Sequence, residues 1–78
     1  MLRKKKTKIK YKMLVKNLTP REFEVLQYIC IGYTNKQIAQ ELKITTHTIK
    51  IHAAHIQKKF NVKSRAEIGY IAAKSTLI

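Results

Sequence analysis

The residues best suited to chemistry lie in one segment, TTHTIKIHAAHIQKKF, residues 45–60. It carries hydroxyl, imidazole and ammonium groups but no carboxylate and no cysteine. His47, His52 and His55 are spaced five and three residues apart, and no nearby Cys or carboxylate completes a metal site with them. The chain shows neither a Gly-rich phosphate loop nor a nucleophile–base pairing. We therefore expect no enzyme, metal or cofactor, and side chains that bind phosphates instead.

The overall charge limits the partners that the chain can bind. Seventeen Lys and Arg residues face four acidic residues, for a net charge of +13. A domain this basic favours DNA, RNA, an anionic membrane or an acidic protein surface. A membrane is disfavoured, because no apolar run approaches the roughly 18 residues of a span and residues 1–16 lack one apolar face. No signal peptide is visible, so we expect a soluble, cytoplasmic, nucleoid-associated protein.

The charge is concentrated at the N-terminus. Residues 1–17 hold eight of the seventeen cations and no acid. Such closely spaced like charges repel, so we expect most of this basic tail to be disordered when free. Two roles stay open for it, a solubilising tail or an arm that follows phosphates. The remaining residues, 18–78, are expected to form one domain.

Helix-capping patterns predict that this domain is all-α. Capping boxes begin at Thr19, Thr34 and Ser64, each with Glu or Gln three residues later. Thr45 begins a further helix without such a partner. The predicted helices span about 20–31, 35–43, 46–60 and 65–74, and Gly32 supplies a left-handed stop after the first.

The apolar pattern predicts how these helices pack. In the first helix the expected core stripe is Phe23, Leu26 and Ile29/Cys30, with Cys30 buried as a small hydrophobe. Two short helices joined by a tight turn cross steeply, as in a helix-turn-helix. Ala39 lies where the crossing requires a small residue. The helix at 46–60 is then propped outward, and short side chains at its N-terminal end would let it enter a major groove.

The resemblance to one family is carried by LTPRE at 18–22, GYTNKQIAQEL at 32–42, ITTHTIKIH at 44–52 and KKFNVKSR at 58–65. The chain resembles the DNA-binding domain of the LuxR/GerE (NarL-type) transcription regulators over about residues 18–74. The resemblance implies a four-helix domain whose third helix enters the major groove and whose fourth helix often pairs two protomers.

The resemblance also implies site residues. The base-contacting residues would be Lys50, Ile51, Ala54 and His47. The phosphate-contacting residues would be Thr34, Asn35, Lys36, Thr46, Thr48, His52, Lys58 and Lys59. The dimer helix would use Ile68, Tyr70 and Ile71.

Several of these assignments have a structural alternative. Lys58 and Lys59 suit a solvated helix end, His52 a packed position, and Thr48 a local backbone bond. Glu22 is expected to cap its own helix and to pair with a cation such as Arg65, outside the site.

The predicted function is a sequence-specific DNA-binding transcription regulator, with double-stranded DNA as its partner. A homodimer on DNA is expected, and RNA polymerase is a further candidate partner. Two alternatives stay open: the output domain excised from a two-component response regulator, and a low-specificity nucleic-acid binder dominated by the basic tail.

Overall fold

The structure, a computed structural model, describes residues 12–76, with side chains up to residue 73. Within this range the chain is helical and contains no strand, so the all-α prediction is confirmed. The helices are α1 (of which residues 12–16 are described), α2 (Pro20–Cys30), α3 (Asn35–Leu42), α4 (Thr46–Phe60) and α5 (Arg65–Thr76). None of the described helices has the length and apolar character needed to cross a membrane.

The predicted threonine N-caps are present at the starts of their helices. The Thr19 and Thr34 hydroxyls accept hydrogen bonds from the amides of Glu22 and Gln37, at 3.1 and 3.2 Å. The Glu22 and Gln37 side chains return the bond to the cap amides, which completes both capping boxes. Thr45 caps α4 in the same way, although its helix lacks the reciprocal acidic side chain. These bonds satisfy amides that a helix start otherwise leaves without partners.

Three helices end in the same way, with one residue in the left-handed region. These residues are Gly32 at φ 90°, Lys43 at φ 57° and Asn61 at φ 55°. After each, the next amide bonds back across the last turn, as in the Schellman motif. The residues that donate these bonds are Tyr33, Ile44 and Val62, and all three pack against the core. Each stop therefore also anchors the following segment to the hydrophobic interior.

The core lies where α2, α3, α4 and α5 meet. Its fully buried side chains are Val25, Leu26, Ile38, Ile49, Ile56, Phe60 and Ile68. Ala39 is buried as well, and it lies in the short helix that leads into the turn before α4, as the crossing requires. The predicted stripe of α2 was partly wrong, because Phe23 and Cys30 are exposed while Val25 is buried.

The predicted boundary between the tail and the domain does not match the packing. Leu14, Val15 and Leu18 lie against the core, and the Leu18 amide bonds to the Val15 carbonyl. Residues 12–16 are helical, so the expected disorder does not extend to this part of residues 1–17. The prediction for residues 1–11 lies outside the described residues.

Candidate nucleic-acid interface

The site is built on the helix-turn-helix formed by α3, the turn at 43–45 and α4. The Ile44 amide bonds to the Ala39 carbonyl, and Lys43 adopts the left-handed conformation that ends α3. Ile38 and Ile49, each completely buried, fill the angle between the two helices. The turn and these two side chains therefore fix the direction in which α4 leaves the domain.

One face of α4 is buried and the other is exposed. Its buried residues, Ile49, Ala53, Ile56 and Phe60, follow helical spacing. The four predicted base-contacting residues, His47, Lys50, Ile51 and Ala54, are all exposed. Ile51 keeps 42% of its surface in solvent, so a ligand that covered it would gain from the burial of apolar surface. The exposed face thus combines a cation, an imidazole and two apolar groups, which could contact guanine edges and thymine methyl groups.

The threonines at the helix starts can still donate to an anion. The Thr34 hydroxyl oxygen accepts from Gln37, and its own hydrogen stays available for a phosphate oxygen. Thr45 and Thr48 share one hydrogen bond between their hydroxyls, at 2.9 Å, so one hydroxyl hydrogen of the pair also stays available. The structure contains the local bond considered for Thr48, and its phosphate contact stays a prediction. Thr46 and Lys36 are exposed.

His52 is half-buried, and its Nδ1 atom is buried without a hydrogen-bond partner among the described residues. A buried N–H without an acceptor is rarer in proteins than a buried acceptor without a donor. This favours the tautomer with the hydrogen on Nε2. The packed alternative and the predicted phosphate contact are then compatible, because the ring keeps an N–H donor on Nε2 while its Nδ1 atom is buried.

The two lysines at the end of α4 differ in their surroundings. Lys58 is exposed. Lys59 Nζ lies 2.7 Å from Glu22 Oε1 and 2.9 Å from the Asn17 carbonyl. The Lys59 charge is therefore already neutralised inside the domain, whereas that of Lys58 is available to a ligand.

Glu22 accepts the bond from Lys59 and has further partners. The sequence predicted only part of its role. Its side chain is 5% exposed, and Oε2 lies 3.3 Å from His55 Nδ1. Burial alone would raise the pKa of Glu22, but bonds from Lys59, the Thr19 amide and His55 outweigh it and lower the pKa. The predicted cap is present, while the suggested partner was wrong, because the carboxylate pairs with Lys59 rather than Arg65.

Arg65, at the start of α5, reaches the beginning of α3 instead. Its Nη1 donates to Asn35 Oδ1 and its Nη2 to the Tyr33 carbonyl. The partners lie 30 and 32 residues away in sequence, so no local motif indicates the contact. The oxygen of Asn35, a predicted phosphate contact, is thus already bonded within the protein.

The predicted dimer residues of α5 occupy different environments. Ile68 is completely buried in the core, so its assignment to a dimer surface was wrong. Tyr70 is 63% exposed and Ile71 is half-buried.

Between α2 and α5 runs an open apolar groove of about 420 Å³. Within residues 12–76, no cluster of three His, Cys, Asp or Glu side chains could hold a metal ion.

Comparison with known proteins identifies the family. Residues 16–72 match the family described as bacterial regulatory proteins, luxR family. The chain belongs to this family. It is thus a LuxR-type helix-turn-helix DNA-binding domain, and the predicted resemblance is confirmed.

Individual relatives of this LuxR-type domain are response regulators and oxygen regulators by name. It is 49% identical over 53 residues to the nitrate/nitrite response regulator NarL of Escherichia coli K12, covering 68% of the chain and 24% of NarL. It is 41% identical over 61 residues to the oxygen regulatory protein NreC of Staphylococcus carnosus, covering 78% of the chain and 28% of NreC. The LuxR-type chain therefore spans about a quarter of the length of these relatives.

Two solved structures share the fold of this LuxR-type domain. Full-length FixJ from B. japonicum superposes with a TM-score of 0.85 at 26% identity, over 99% of the chain and 38% of FixJ. The response regulator StyR superposes with a TM-score of 0.80 at 40% identity, over 90% of the chain and 35% of StyR.

Proposed function

We propose that this chain is a sequence-specific transcription regulator that inserts α4 into the major groove of double-stranded DNA. The supporting observation is the face of α4 on which His47, Lys50, Ile51 and Ala54 are exposed, in a helix that contains no Asp or Glu. In this proposal those four residues face base edges. The phosphates are bound by Thr34, Asn35, Lys36, Thr46, Thr48, His52 and Lys58.

The proposal departs from sequence reasoning at Lys59. Its ammonium group bonds to Glu22 and to Asn17, so we assign the phosphate contact at this end of α4 to Lys58 alone. The protein acts in the cytoplasm, at the nucleoid, with RNA polymerase as a downstream partner. No catalytic role forms part of the proposal.

The test is selection of random duplex DNA by the full chain at physiological salt, followed by a comparison of the selected duplex with a scrambled one. We expect a defined motif and at least about a thousandfold preference. Lys50→Ala should relax one base position of that motif, by roughly 1–3 kcal/mol, without lowering stability. A motif unchanged by Lys50→Ala would contradict this docking.

Dimerisation on DNA is proposed through α5, using Tyr70 and Ile71. Ile68 is excluded because it is completely buried. Half-sites should then be centred about one helical turn, roughly 10 base pairs, apart. Tyr70→Ala should weaken cooperative binding to paired half-sites while leaving binding to an isolated half-site unchanged. Equal losses on both duplexes would argue against a dimer surface at Tyr70.

A second candidate is a low-specificity nucleic-acid binder dominated by the basic tail, favoured by the eight cations of residues 1–17. Deletion of residues 1–11, which leaves residues 12–16 of α1 in place, separates the two proposals. The tail-dominated binder requires most of the affinity to disappear, together with most of the salt dependence. The sequence-specific regulator requires the selected motif to survive the deletion.

A further inference from the structure

We infer that Arg65 is a positioning residue for DNA binding, because it turns the amide group of Asn35 so that its nitrogen faces the phosphate backbone. The inference deepens the proposed function and rests on its phosphate contact at the start of α3. It assigns a role to a residue of α5 that lies outside the helix-turn-helix.

The Arg65 guanidinium group donates to two residues around the start of α3. Nη1 donates to the Asn35 side chain, and Nη2 donates to the Tyr33 carbonyl, at 2.5 Å. Thr34, the N-cap of α3, lies between these two partners in sequence. Arg65 therefore holds both neighbours of the cap and ties the start of α5 to the start of α3.

The chemistry of the guanidinium group decides which atom of the Asn35 amide it can contact. A guanidinium group has five N–H donors and no acceptor, and it stays protonated in proteins. Burial lowers the pKa of Arg65, without bringing it near neutrality. Only the oxygen of the Asn35 amide can therefore face Arg65.

The other edge of the Asn35 amide carries its nitrogen. With Oδ1 bonded to Arg65, the Nδ2 group of Asn35 points away from it and carries two N–H donors. Asn35 lies in the first turn of α3, where backbone amides also lack a partner within the helix. A phosphate beside this edge of the amide would meet N–H donors. Without Arg65 the amide could rotate and present its oxygen, which repels a phosphate.

We expect one variant to lose affinity for DNA without losing stability. Asn35→Asp keeps an oxygen for Arg65 and places a negative charge at a helix N-terminus, where it is favourable. Its unfolding midpoint in urea should equal or exceed that of the wild type. Its second oxygen would face the phosphate, so the Kd for a 20-base-pair duplex of random sequence should rise at least about tenfold.

Gln40→Glu is the matched control. It makes the same amide-to-carboxylate change on the same helix, five residues and about 140° around the axis from Asn35. Its Kd should rise no more than about threefold. Only Asn35→Asp should reduce the slope of log K against log salt by about one. Equal losses of affinity and slope in the two variants would overturn the inference.

The role of Arg65 itself is tested by combining substitutions. Arg65→Lys keeps the charge but loses the planar fork, and should raise the Kd about three- to tenfold when Asn35 is present. In an Asn35→Ala background the same substitution should leave the Kd unchanged. A purely structural role predicts equal losses in both backgrounds, which would contradict the inference.

A random-sequence duplex separates this inference from the proposed function, because phosphate contacts do not depend on sequence. Loss of the selected motif would contradict the proposed specificity and leave the Asn35 comparison intact. Normal specificity with equal effects of Asn35→Asp and Gln40→Glu would contradict only the present inference. Failure of the wild type to bind any duplex would overturn both.

Discussion

Cationic and imidazole side chains have different surroundings at the two ends of α4. At the N-terminal end, His47 and Lys50 are exposed and form no ion pair within the described residues. At the C-terminal end, His55 and Lys59 both contact the buried carboxylate of Glu22. The first two side chains can therefore meet an external anion, whereas His55 and Lys59 are satisfied internally, and Lys58 beside them stays exposed. Net charge alone does not show which cations can bind DNA.

The largest expected effect comes from removing the internal anion. Glu22→Ala deletes the acceptor of Lys59 and His55 and one half of the capping box. We expect a loss of about 3 kcal/mol in the free energy of unfolding, because charged groups lose a buried partner and a helix loses its cap. Urea denaturation at pH 7 measures this loss.

Glu24→Ala is the control for that experiment. Glu24 lies on the same helix, and its ion pair with Arg21 is exposed, at 3.6 Å. Exposed pairs contribute at most about 1 kcal/mol. Similar losses for the two variants would show that Glu22 is no more important than a surface carboxylate.

A smaller effect is expected from protonating Glu22 rather than deleting it, since packing is kept. Bonds from Lys59, Thr19 and His55 lower the pKa of Glu22 in the folded protein despite its burial. A lowered folded pKa contributes stability that is complete above the unfolded pKa and is lost as pH falls through the folded pKa. Unfolding free energy should therefore decline below about pH 4.3, and less steeply in Glu22→Gln. Equal slopes for the two proteins would contradict the role of this carboxylate.

Local signals allowed the sequence to predict much of this fold. Thr19, Thr34 and Thr45 cap helices because each hydroxyl reaches an amide only three residues away. Gly32 ends α2 because its φ of 90° is costly for other residues. The exposed face of α4 was predicted as well, since helical spacing separates it from the buried isoleucines.

The errors concern residues whose environment depends on distant parts of the chain. Lys59 meets Glu22 across 37 residues, and no local pattern distinguishes it from Lys58. Phe23 was placed in the core because i, i+3 spacing fits more than one face of a short helix, and the packing of α4 and α5 selects Val25 instead. Ile68 was assigned to a dimer because the sequence alone does not show which side of α5 closes the core.

A third prediction compares the two lysines at the C-terminal end of α4. Lys58→Ala should remove one phosphate contact, reducing the slope of log K against log salt by about one and weakening binding by about 1 kcal/mol at 0.15 M salt. Lys59→Ala should leave the slope unchanged and lower stability instead, because Glu22 loses its partner. Titration of one duplex at several salt concentrations measures both. Equal reductions of the slope would show that Lys59 also binds DNA.

The smallest expected effect concerns the turns that bracket α4, where Lys43 and Asn61 both adopt the left-handed conformation. The left-handed conformation is unfavourable for a lysine by about 1 kcal/mol for steric reasons, whereas asparagine tolerates it better. Lys43→Gly should therefore raise the free energy of unfolding by about 0.5–1 kcal/mol, after allowing for the entropy of glycine in the unfolded chain. Asn61→Gly should change it by a few tenths at most. Urea denaturation of both variants tests the difference, and an equal or larger gain for Asn61→Gly would mean that backbone strain is not concentrated in the turn before α4. Because Lys43 precedes the end of α4 for which we propose DNA binding, a stabilised Lys43→Gly that binds DNA less tightly would further indicate that the strained lysine contributes its charge to binding.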